Sequence, residues 1–357
     1  MSQVRQPGLE VRANGIVLDG ALEARVISND HFSSDRFTIR LAEGADSSGL
    51  GSYFALPDST VFTIAMRQDA DAPFLPLITG QGDTSIRDQI TRVVSIEGRD
   101  LTALLQDVPV TGDFPNLTSS EIVTEIALRH GLIPVALPTS MLAGRYFQGE
   151  TRQLAINSYG RFATEWDLVV HLAQCEGYDV FAVGNALFFQ PALPPVAITK
   201  VLDVADLIEL RLMRRLRLSG PIAVTVRSWN AKEARLVSAT ALSHRIAYPS
   251  AIGPIGTSSP AQFTTVRPNL TSEDAGRIAM SQAATLGRHE QCVEFSMPGE
   301  GLLTPRAGFL LKGTGTDFDQ IYQIDTIERV FGPEIGFVQY VTAHAVSNRI
   351  ITLTTDA

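Results

Sequence analysis

Val94-Ser95-Ile96-Glu97-Gly98-Arg99-Asp100-Leu101 is where the hydrophobic period of this 357-residue chain changes. Through Ile96 apolar and polar side chains alternate, as they do along a half-buried strand. Beyond Asp100, residues Leu101, Leu104, Leu105 and Val108 recur at helical spacing, which predicts a helix. Upstream, from Val11 to Val94, period two dominates: Arg36-Phe37-Thr38-Ile39-Arg40-Leu41 and Val61-Phe62-Thr63-Ile64-Ala65-Met66 read as strands. Asn14-Gly15, two residues tolerant of positive φ, predicts a hairpin turn between Val11 and Ile16-Val17-Leu18. Residues 1–94 therefore read as a first antiparallel β domain.

Downstream the texture is mixed. Thr118 and Glu121 have the spacing of a capping box ahead of Ile122, Val123, Ile126 and Ala127, with Gly131 as a left-handed stop. Thr164 and Asp167 precede Trp166, Val169, Val170 and Ala173, with Gly177 closing that helix. Val180 to Phe189 reads as a hairpin turning at Gly184-Asn185. Residues 95–205 thus read as a small α/β insertion. After Asp206 the β pattern returns in Ala223 to Trp229 and Leu236 to Ala241, so residues 206–357 read as a second β domain. A loop rich in Pro, Gly and Ser is expected from Tyr248 to Pro268 (248–268), followed by a helix over 271–287 that carries Ile278, Ala279, Ala283 and Leu286 on one face. The fold class expected is mainly β with an α/β insertion, an α+β chain.

Composition bounds the function. A hydrophobic share of 45% with 19% charged residues suits a folded chain with ample apolar surface to bury. The formal net charge of −9 disfavours non-specific attraction to nucleic-acid phosphates, which is driven by Lys and Arg. Two cysteines, Cys175 and Cys292, cannot build a disulfide framework or a Cys-rich zinc site. No signal-peptide core opens the chain and no run of about 18 apolar residues occurs in it, so the expectation is a protein made in the cytoplasm with no membrane span.

An ordered set of short stretches resembles the late control D family of phage tail proteins, the baseplate hub of contractile tails, whose fold is shared with the hub portion of type VI secretion spike proteins. The stretches are Ser95 to Asp100 with Leu104-Leu105-Gln106-Asp107, Glu121-Ile122 through His130-Gly131-Leu132, and Trp166-Asp167-Leu168 with Leu172-Ala173 and Gly177-Tyr178-Asp179. Leu187 to Pro191, Met297-Pro298-Gly299, Pro305 to Gly308, Tyr322 to Ile327 and Gly336-Phe337 complete the set. Ile327-Glu328-Arg329-Val330 departs from it, since related proteins often carry a histidine there.

The resemblance implies a homotrimeric ring with two tail-tube-like β-barrel domains per subunit. Its implied partners are a hexameric tail tube protein, a trimeric central spike protein and other baseplate proteins, with DNA passing through the channel without specific binding. The implied location is the tail baseplate of a virion, assembled in host cytoplasm, with no membrane partner.

Signals for an enzyme are sparse in the sequence. No nucleophile elbow, Walker loop, His-Glu-x-x-His or dinucleotide-binding glycine pattern occurs. Gly313-Thr314-Gly315-Thr316-Asp317 lies between strand-like segments, where a hairpin turn explains it better than a phosphate cradle. His31, His130, His171, His244, His289 and His344 never fall at metal-ligand spacing with a second His or Cys; His289 lies three residues before Cys292, but two potential ligands without others make chance the better reading. The pairs Asp317/Asp319 and Asp69/Asp71 lie in turn-like stretches. No catalytic residue, metal ligand or cofactor is therefore assigned. The strongest positive cluster is Arg211, Arg214, Arg215 and Arg217, read as a strand with one charged face that meets another subunit or domain. Two alternatives are a module that binds peptidoglycan or carbohydrate, with Trp166 and Tyr159 as candidate stacking residues, and a wall hydrolase.

Overall fold

The computed structural model describes the chain apart from residues 1–4, 31, 45–52, 58, 112–113, 115–116, 141–142, 144, 147–152, 155–161, 193–197, 217–221, 231–233, 246–260, 268–269, 347 and 355–357. The first β segment comprises β1 (Gly8–Ala13), β2 (Ile16–Val17), β3 (Ala21–Asn29), β4 (Arg36–Ala42), β5 (Val61–Arg67), β6 (Leu75–Asp88) and β7 (Val93–Asp100). Asn14 and Gly15 take φ of 48° and 84°, the backbone a two-residue hairpin requires. The strands pair in the order β3-β4-β7-β6-β5-β1-β2, and β1 also touches β3, so the segment curls around its own core. Val11, Val26, Ile39, Ile64, Val94 and Ile96 fill that core from alternate positions, as the period-two pattern predicts.

The opening stretch is a strand through Asp100, after which the chain turns into a helical module. The helix predicted from Leu101 to Val108 is a single turn, α1 (Ala103–Gln106). Pro109 explains its brevity, because the residue before a proline is disfavoured in the helical region. Next come α2 (Ser119–Arg129), β8 (Ile133–Ala136), the short pair β9 (Arg145–Tyr146) and β10 (Gln153–Leu154), α3 (Glu165–Glu176), β11 (Tyr178–Val183) and β12 (Ala186–Pro191). Both expected capping boxes are present, Thr118 with Glu121 and Thr164 with Asp167. Gly131 and Gly177 take φ of 71° and 69° at the helix ends. Strands β8, β11 and β12 form a three-stranded sheet, parallel between β8 and β12. Ile122, Ile126, Val169, Leu172, Leu187 and Phe189 share its core with Leu105.

The last part holds β13 (Ile198–Asp203), β14 (Glu209–Arg214), β15 (Ile222–Asn230), β16 (Arg235–Arg245), β17 (Ala261–Val266), α4 (Ser272–Gly287), β18 (Gln291–Pro298), β19 (Gly308–Lys312), β20 (Ile321–Gly332), β21 (Gly336–Ala345) and β22 (Asn348–Thr354). The stretch expected as one loop over 248–268 needs correction, since Ala261–Val266 is a strand running parallel to β15. Its Phe-Thr-Thr-Val is β-branched and aromatic enough to add to that sheet; residues 248–260 lie outside those described. Strands β15, β16, β17 and β22 form a four-stranded sheet against which α4 packs, with Thr271 and Asp274 as its capping box.

The remaining strands join the first segment. Strand β20 pairs antiparallel with β3, from Thr326 opposite Asn29 to Phe331 opposite Ala24. One thirteen-stranded sheet thus runs from β14 at one end to β2 at the other, with β13 and β19 attached beside β20. A second sheet core lies on β18, β20 and β21, around Phe295, Phe309, Tyr322, Ile324 and Val341. The chain is β-rich with few helices. No helix among the described residues is long and apolar enough to cross a membrane.

Candidate functional site

The arginine cluster falls at the free end of the large sheet. Among the described residues, strand β14 pairs only with β18, Arg211 standing opposite Glu294 and Arg214 opposite Gln291. An edge strand presents unpaired backbone groups, and charged side chains there limit indiscriminate strand addition. Arg211 is exposed. Arg214 is ion-paired with Asp317, and its guanidinium carbon lies 5.5 Å from the Phe318 ring centre. The strand ends at Arg214, earlier than the expected charged face implies. Arg215 has left it, donating its backbone N–H to the Glu290 carbonyl (2.8 Å) and its side chain to the His289 carbonyl (3.4 Å). Arg217 lies outside the described residues.

A buried polar layer sits between the large sheet and the helical module. Arg306 is its centre: its guanidinium donates to the carbonyl oxygens of Asp30 (2.7 Å) and Asn29 (3.3 Å) and pairs with the Asp30 carboxylate (3.1 Å). The same guanidinium lies 3.7 Å from Asp179 and stacks 3.9 Å from the ring centre of Phe181, both on β11. Arg288, after α4, approaches Asp30 from another side at 3.7 Å. One arginine thus ties β3, β11 and the turn before β19 together.

Beside Arg306 the sheet carries Asp325 between two imidazoles. His344 Nδ1 lies 2.6 Å from Asp325 Oδ1, His289 Nε2 lies 3.7 Å from Oδ2, and the two imidazole rings are 5.3 Å apart. A bulge creates this arrangement: Ile324 pairs with Ala343 and Thr326 with Thr342, leaving Asp325 as the extra residue. Bulges re-aim side chains in this way. His344 stands opposite both Gln323 on β20 and Cys292 on β18, so these three side chains share a face. Burial, aided by nearby carboxylates and opposed by Arg215, pushes the Cys292 thiol up to about 11, so it stays protonated. Linear spacing hid this cluster, since no short motif spans residues 289, 325 and 344; the pairing of β21 with β20 on one side and with β18, just after His289, on the other is what unites them.

The other sequence candidates resolve into structural roles. Trp166 is 7% exposed, and its indole N–H donates to the Phe32 carbonyl (3.2 Å), so it belongs to the module core. Tyr159 and His31 lie outside the described residues. Residues 313–317 lie in the loop of the β19–β20 hairpin, where Asp319 accepts from the Thr314 N–H at 2.9 Å. Asp317 is held by Arg214 and by Gln291 (3.0 Å), more engaged than a solvated turn. Asp69 accepts from the backbone of Ala70 and of Gln6, a turn role. A surface groove of about 530 Å³ between α2 and β8 is lined by Thr118, Ser120, Glu121, Leu128, Pro138 and Thr139, a lining without a flat aromatic face for a sugar ring.

Comparison with solved structures places nearly the whole chain in one fold. The tail protein from Neisseria meningitidis MC58 superimposes with a TM-score of 0.69 at 12% identity, covering 95% of this chain and 97% of that one. The 43 kDa tail protein of prophage MuSo2 from Shewanella oneidensis gives 0.66 at 13% identity, over 95% and 98%. An Escherichia coli component of the type VI secretion system, itself described as structurally similar to tail proteins of phage T4, gives 0.58 at 12% identity, over 94% and 77%. The sequence matches no protein-family model and no curated protein. A fold common to phage tail proteins and type VI secretion components, which the sequence resemblance led us to expect, is the fold this chain adopts.

Proposed function

We propose that this chain is a structural subunit of a phage-like contractile tail, the baseplate hub whose three copies form a ring between a hexameric tail tube and a trimeric central spike. The observation that carries the reading is the correspondence to tail proteins over nearly the whole chain: 95% of this chain matches 97–98% of two of them. The work of such a subunit is contact, and the edge at β14, with exposed Arg211 and Leu212, suits a protein partner. The β6–β7 hairpin exposes Ile86 and Ile90, the latter 94% exposed, as apolar tips that a neighbouring subunit would cover. Three copies at −9 each would carry −27, and such a ring would pass DNA without holding it. The position of the chain is then the tail baseplate, and catalysis is no part of its role.

Co-expression with the tube and spike proteins of the same tail tests this. A complex of all three should survive size exclusion, and Arg211→Glu should weaken it about tenfold or more without altering the circular dichroism of the isolated chain. Failure to bind either partner, or release of soluble fragments from cell wall by the purified chain, would overturn the reading.

A further inference from the structure

We propose that His289, Asp325 and His344 form a binding site for one divalent transition-metal ion, with Zn(II) the best match to the donors. Two imidazole nitrogens and a carboxylate oxygen lie within 4.8 Å of one another. Such donors suit zinc, which takes nitrogen at about 2.0–2.1 Å and carboxylate oxygen at about 2.0–2.2 Å. Ligand atoms around such an ion stand roughly 3–3.5 Å apart by that geometry. His344 is already close to Asp325 at 2.6 Å and has to open slightly, whereas His289 at 3.7 Å has to close slightly. Both shifts lie within the reach of a side-chain torsion.

Three further observations favour a site over a chance cluster. Asp325 occupies a bulge, so backbone regularity is given up to aim this carboxylate, and the Asp30 N–H holds its carbonyl at 2.7 Å. Asp325 and His344 are 5% and 3% exposed, whereas His289 remains partly exposed, which leaves solvent a route for the ion and for a water ligand. A neighbouring buried acid, Asp30, faces Arg306 and Arg288, while imidazoles face Asp325. Bound metal would pin β20 and β21 to the chain between α4 and β18, at the seam where the helical module meets the sheet.

Titration of metal-stripped full-length protein with Zn(II) should show one ion per chain and a raised melting temperature. Co(II) should give the visible bands of a four- or five-coordinate site. His344→Ala removes a buried group and risks misfolding, so His289→Ala, at the partly exposed position, is the deciding variant. It should fold, retain its melting temperature without metal, and bind Zn(II) at least about tenfold more weakly. Substoichiometric binding by the native chain, or equal affinity in the native chain and His289→Ala, would overturn the proposal.

Discussion

Gly98 shows how one residue in the opening stretch constrains the sheet. A Cβ built there would stand 2.1 Å from the Gln81 carbonyl oxygen on β6 and 2.5 Å from the Phe37 ring on β4. Gly80, on the facing strand, meets the Arg99 carbonyl oxygen at 2.0 Å in the same way. Both glycines serve close approach of backbones, since neither takes a positive φ. Gly98→Ala therefore has to part β6 from β7 or displace Phe37, and should cost about 1–3 kcal/mol or more in urea unfolding. An unchanged midpoint would show that the strands move apart freely. The glycine was legible as part of a resemblance; its reason was not, because nothing in a linear pattern states how near a neighbouring strand runs.

Between elements, the junction from β7 into α1 is built from buried polar groups. Asp100 accepts from the N–H of Asp35 (3.2 Å) and of Thr102 (3.1 Å), while Asp35 accepts from the Asn29 N–H (2.8 Å). Ser34 bonds Thr102 at 2.7 Å and accepts from Gln106 of α1, which fastens the loop before β4 to the helical module. Burial first, and then the Asp100 charge, pushes Asp35 up to about 7, and burial pushes Asp100 up to about 6. Unfolded, both titrate near 3.8. The folded chain therefore holds protons that the unfolded chain releases. The pair's contribution is fully present below the unfolded value and is lost as pH rises through about 7. Asp35→Asn keeps the acceptor for Asn29 and removes the titration. It should abolish roughly 1 kcal/mol or more of the stability decline between about pH 5 and pH 8, read as urea midpoints. An identical decline in both proteins would refute this. At this scale the sequence was most readable where local chemistry decides: Thr118, Thr164 and Thr271 start helices because their hydroxyls meet backbone amides three residues on. It was least readable where distant strands decide, as at Ala261–Val266, whose parallel partner Ile222–Asn230 lies far upstream.

Over the whole molecule, the pairing of β20 with β3 makes the first and last β segments one continuous sheet, and the helical module is fastened to it through Arg306 and the junction at Asp100. Alternating strands and an intervening α/β texture were visible in the sequence. The continuity was not, since β3 and β20 are nearly three hundred residues apart and neither strand's pattern names its partner. One continuous sheet would suit the proposed hub, which has to carry alignment from tube to spike, and the acidic balance would suit the DNA passage proposed for it. Cryo-electron microscopy of the assembled tail tests the central claim most directly. The account predicts three copies of this chain in a closed ring at the junction of tube and spike, with Arg211, Arg214 and Arg215 against protein and a neutral or acidic channel wall. A single copy at that junction, or those arginines unpaired along the channel, would contradict it.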